Sequence, residues 1–122
     1  MRAVFVGLVA LVSASSVTAM PVSTFIDKAN ALKAKGPFAL LSSDYGLLKN
    51  EVVTSMTALR NERLAAVKAG SKPAYCPTQA SGQMDVDEVL GAMNAVPAPL
   101  RPRTAVKDAL LQHLAQRFPC RT

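Results

Sequence analysis

Few residues of this chain have types and spacing that could do chemistry. Two cysteines, Cys76 and Cys120, are candidates for redox exchange, metal binding or a covalent tie. A thiol–disulfide enzyme more often keeps its two cysteines two residues apart, and here they stand far apart in sequence. A tetrahedral metal set fails too, because the chain has one histidine, His113, and no further thiol. His113 has Asp108 and Gln116 near it in sequence. A general base there would need a nucleophile and an orienting group in the same cleft, and no serine or thiol is marked for that. A lone histidine on the polar edge of a helix is expected at the surface. Asp85, Asp87 and Glu88 lack calcium-loop spacing and its turn glycine, and read as carboxylates at a helix start. The sequence therefore predicts no catalytic residue, no metal site and no cofactor.

The elements around these residues begin with a leader. Met1-Arg2 carries one positive side chain, Ala3 to Val12 is an uncharged apolar run, and Val17-Thr18-Ala19 supplies a small-residue exit. The run is too short to span a bilayer as a stable helix. The order of these three features predicts a secretory signal peptide over residues 1–19, cut after Ala19, and hence a periplasmic address. Residues 20–122 then form one small domain with no stable membrane insertion. The chain carries 14 Lys and Arg against 8 Asp and Glu, a net charge of +6. The basic residues are spread from Lys28 to Arg121 without a cluster, so no nucleic-acid partner is expected, and acidic partners or anionic surfaces fit the balance.

The domain reads as all-α, a small bundle of about four helices. The spacing of Phe25, Ala29 and Leu32 predicts a first helix over residues 21–35, capped by Ser23 or Thr24 and ended by Gly36-Pro37. Phe38, Leu40 and Leu41 form a short apolar connector, and Ser42-Ser43-Asp44 offers the next cap. A long helix over residues 45–69 follows, with Leu48, Val52, Met56 and Leu59 on one face and Leu64 and Val67 extending it; Gly70 stops it. Residues 71–84 are a loop. Asp85 caps a third helix with Glu88 as capping-box partner and Val86, Val89, Leu90 and Met93 as its buried face. Pro97 and Pro99 make a stiff connector through Arg101-Pro102-Arg103; a last helix begins at Thr104, or earlier with Pro102 in its first turn, and its stripe is Val106, Leu110, Leu111, Leu114 and Phe118.

In an oxidising compartment two cysteines in a small domain most simply form one disulfide, Cys76 to Cys120. Arg101 and Arg103 flank Pro102 in a loop, where burial is costly; they are solvated or contact an acidic partner, and arginine is a frequent anchor of interfaces.

The half of the domain from Tyr75 to Cys120 resembles the Rap/Tai immunity proteins, which neutralise peptidoglycan amidase effectors delivered by type VI secretion. The matching features are Cys76-Pro77 after an aromatic, a loop with Gln83, a helix ending at Pro97, and a last helix that contains Ala109-Leu110 and closes on Phe118-Pro119-Cys120. The chain departs at Ala92 and Met93, where members usually place an aromatic and a leucine, and it lacks the N-terminal cysteines that many carry. The resemblance implies a helical, periplasmic, non-catalytic protein that binds a cell-wall amidase effector. A homodimer is compatible with it, and so is the alternative of a general periplasmic structural or chaperone-like protein without a dedicated toxin. Intact-mass measurement of the chain recovered from periplasm is expected to match residues 20–122; a mass that retains the first 19 residues contradicts the leader.

Overall fold

The computed structural model describes residues 19–78 and 84–121, so the expected leader lies outside the described residues except for Ala19. Its elements are helix α1 (Val22–Ala34), a 3-10 helix (Gly36–Leu41), helix α2 (Ser43–Lys68), helix α3 (Val86–Asn94), a second 3-10 helix (Ala98–Arg103) and helix α4 (Val106–Arg117). The all-α bundle expected from the sequence is what forms. Among the described residues no helix is long and apolar enough to cross a membrane.

Local chemistry sets most of the ends. Gly36 and Gly70 take positive φ, +57° and +73°, a region that side chains with a Cβ avoid. At Gly70 the N–H groups of Gly70 and Ser71 donate to the carbonyls of Val67 and Ala66, the paired bonds of a Schellman ending. Ser42 Oγ accepts from the Asp44 N–H at the start of α2, and Asp85 Oδ1 accepts from the Glu88 N–H at 2.7 Å at the start of α3.

Two ends differ from the sequence expectation for one shared reason. Helix α1 has Pro21 as its N-cap with no side-chain cap bond, not Ser23 or Thr24. Helix α4 starts at Val106, not Thr104. Residues 20–22 and 104–106 instead run antiparallel: the Val22 N–H donates to the Thr104 carbonyl at 2.8 Å, and the Val106 N–H donates to the Met20 carbonyl at 3.0 Å. Each helix thus satisfies an orphan N–H of its first turn with the other's lead-in chain. The connector before α4 is a 3-10 helix containing Pro102, in which the fixed φ of proline fits and its missing donor matters little.

The core is arranged around α4. Val106, Ala109, Leu110 and Leu114 are buried, and α4 packs on α2, α3 and α1. Val22, Phe25, Ala29 and Leu32 close in from α1, Leu48 and Leu59 from α2, and Val89, Ala92, Met93 and Val96 from α3 and its end. Val52 and Met56 pack against this core, so the predicted face of α2 is the buried one. Leu64 and Val67, expected to extend it, are exposed, because α2 at 26 residues outruns the 12 of α4.

Cys76 and Cys120 are joined as a disulfide. The Cys76 N–H donates to the Phe118 carbonyl at 2.8 Å, and the neighbouring Tyr75 is buried. The bond closes a loop across a sequence separation of 44. In the chain-entropy account such a loop stabilises the fold by about 4 kcal/mol. Cys76→Ser and Cys120→Ser are therefore expected to lower stability by similar, large amounts in urea unfolding, since each removes the same bond. Clearly unequal losses contradict a purely structural tie.

Candidate functional site

The first 3-10 helix, Gly36-Pro37-Phe38-Ala39-Leu40-Leu41, is too short to turn all its apolar side chains inward. Ala39 packs on the core, while Phe38 and Leu40 are each 69% exposed and Leu41 is 84% exposed. Beside it runs an apolar groove of about 500 Å³. Phe25, Ala29 and Leu32 of α1, Leu48 and Val52 of α2, and Val89 and Leu90 of α3 make its floor; Tyr45, Val53 and Val86 are exposed along it. The groove mouth carries Lys33, Lys49 and Asp85. Among the described residues neither lysine has an ion-pair partner. Lys28 Nζ to Asp44 at 3.3 Å and Lys35 Nζ to Ser42 Oγ at 3.1 Å tie α1 and the residue after it to the start of α2, which fixes one wall. An exposed apolar groove rimmed by charge is the general form of a docking surface.

Sequence reasoning does not single out this surface. The signal that could have found it is the run Phe38-Ala39-Leu40-Leu41 after Gly36-Pro37, which has more apolar side chains than one helical turn can bury.

Arg101 and Arg103, the partner-binding candidates, both lie in the second 3-10 helix. Arg101 is engaged locally. Its Nε donates to the Val96 carbonyl at 2.9 Å and its Nη2 to the Asn94 carbonyl at 3.1 Å, satisfying carbonyls at the end of α3. Arg103 is exposed.

His113 is half-buried rather than on the surface, because α3 packs against its side of α4. Its Nε2 lies 2.8 Å from Glu88 Oε1, and Arg117 pairs with the same oxygen. Glu88 is not a reciprocal capping-box partner; its carboxylate crosses from α3 to α4. An ionised carboxylate only accepts, so the His113 Nε2 carries the proton. Both cysteines are bonded, leaving no free thiol, and among the described residues no group of three or more metal-ligating side chains is close enough to hold an ion. The His113–Glu88–Arg117 cluster ties α3 to α4 as a polar clasp.

The hydrogen bond with His113 is the main cause that holds the Glu88 carboxyl below the ordinary glutamate range; burial opposes it, and the hydrogen bond and charge of Arg117 add to it. A carboxyl whose value is lower folded than unfolded contributes stability that is complete above the unfolded value and is lost as pH falls through the folded one. Urea stability is thus expected to fall below about pH 4.3, the ordinary glutamate value, more steeply for the native chain than for Glu88→Gln. Parallel acid profiles contradict the clasp.

Comparison of the chain with protein-family models, curated proteins and solved structures finds no match.

Proposed function

We propose that this chain is an exported, disulfide-tied helical protein that works by binding another protein, as an immunity-type inhibitor of a secreted peptidoglycan amidase. The observation that carries the binding reading is the apolar groove with the exposed Phe38, Leu40 and Leu41 beside it. The resemblance of Tyr75 to Cys120 to the Rap/Tai immunity proteins supplies the partner class, and the Cys76–Cys120 bond is compatible with an oxidising compartment. In this reading the helices supply a rigid frame, and the groove receives an apolar element of the effector, so that the complex occludes the amidase cleft. Lys33 and Lys49 meet acidic groups at the rim.

The same exposed apolar residues also fit a chaperone-like periplasmic protein. The two readings differ in stoichiometry: an inhibitor forms one tight complex with a dedicated effector, whereas a chaperone-like module meets many clients weakly.

The direct experiment is co-expression with the effector encoded beside the gene, followed by pull-down from periplasm and a survival assay. Protection and a stoichiometric complex are the expected result, and the absence of both overturns the immunity reading. Phe38→Asp and Leu41→Asp are expected to weaken the complex by about tenfold or more, as loss of an apolar anchor does. Being exposed, both leave stability within about 0.5 kcal/mol of the native chain. Undiminished binding by both variants rules out this surface.

A further inference from the structure

A second concavity lies further along α2, toward its C-terminal end, with Met84 between it and the groove, and its chemistry differs from that of the groove. It has a volume of about 300 Å³ and is lined by Arg60 and Arg63 of α2, Arg117 near the end of α4, and an apolar lining that includes Met56, Leu114 and Phe118. Met56, Arg60 and Arg63 recur at helical spacing, which puts them on one side of α2.

The three guanidinium groups are not equivalent. Arg117 stacks on the Phe118 ring at 4.8 Å and is neutralised by Glu88. Arg63 lies over the Tyr75 ring at 5.5 Å, yet its Nε is buried and has no hydrogen-bond acceptor among the described residues. Arg60 is exposed and has no ion-pair partner among them. A buried donor on a permanently charged group is costly to leave unmet. The stacking on Tyr75, itself held next to the disulfide, keeps Arg63 in this position.

We propose that this pocket binds a carboxylate carried on an apolar body. The guanidinium groups of Arg60 and Arg63 take the carboxylate oxygens, and Met56, Leu114 and Phe118 cover the apolar part. Planar guanidinium donors match a carboxylate in a two-pronged fashion. With Arg117 already neutralised, the pocket offers two unpaired cations, and Glu88 beside it disfavours a dianion such as phosphate. The carboxylate can come from a small apolar acid or from an acidic side chain of a protein.

The test is NMR of the full folded chain, following the Arg63 Nε–H signal and the Met56 methyl signal during titration with phenylpropionate. Saturable shifts of these signals are expected. Phenylpropanol, which has the body without the charge, and acetate, which has the charge without the body, are each expected to bind about tenfold more weakly or worse, the size of one charge-assisted bond or of a buried ring. Arg60→Gln is expected to weaken phenylpropionate by about the same factor. Because Arg60 is exposed, an otherwise unchanged amide spectrum shows that this variant is folded. An unmoved Arg63 Nε–H signal, equal binding of all three probes, or undiminished binding by the variant overturns the proposal. A capped Leu-Glu-Leu peptide identifies the source: tighter binding than phenylpropionate assigns an acidic side chain, and weaker binding assigns a free acid, each within the same carboxylate chemistry.

Discussion

The burial of the apolar stripe of α4 is the interaction on which the other elements of this domain lean. Val106, Ala109, Leu110 and Leu114 are nearly sealed from solvent, and each of the other three helices contributes side chains to that seal. Leu110 or Val106 alone, fully buried, represents roughly 1.5 to 3 kcal/mol of transfer free energy. Both ends of α4 are also fixed. At its start the antiparallel bridge ties residues 104–106 to residues 20–22; at its end the disulfide and the Cys76 N–H to Phe118 carbonyl bond tie it to the loop after α2. A short helix held at both ends and covered along its length makes a stiff centre for a small domain.

That stiffness allows surfaces elsewhere to stay apolar and open. The groove is bounded by α1, α2 and α3, whose relative positions are set by what they bury against one another and against α4. The first 3-10 helix beside it, which lines it with Gly36 and Ala39, adds only Ala39 to the core, so Phe38, Leu40 and Leu41 are spared from packing. The polar clasp of Glu88, His113 and Arg117 works at the opposite side of α3, where it secures the helix without occupying the groove. The arginine pocket is likewise positioned by structural groups, Tyr75 and Phe118, that flank the disulfide.

Much of this is legible in the sequence where a local signal exists. The spacing of Leu48, Val52, Met56 and Leu59 marks the inward face of α2, Gly36 and Gly70 mark helix ends, and Asp85 marks a cap. What is not legible rests on tertiary pairing. Nothing near Thr104 announces that it and Ala105 stay extended, because their partners are residues 20–22, remote in sequence. Glu88 satisfies the capping-box pattern, but the proximity of His113 and Arg117 wins its carboxylate. Leu64 and Val67 keep the right phase, yet α2 has outrun its neighbour by then. The bonds of Arg101 to the Val96 and Asn94 carbonyls likewise have no local signal in the sequence.

A frame centred on α4 thus carries an exposed apolar segment, the first 3-10 helix, which adds little to folding. Native-state hydrogen exchange is the sharpest probe of that division. Amides of residues 110–114 are expected to exchange slowest, at the free energy of global unfolding, and those of the first 3-10 helix fastest among the helical segments. Equal protection of residues 38–42 and the middle of α4 refutes the division, because it makes the exposed apolar segment part of the cooperative core.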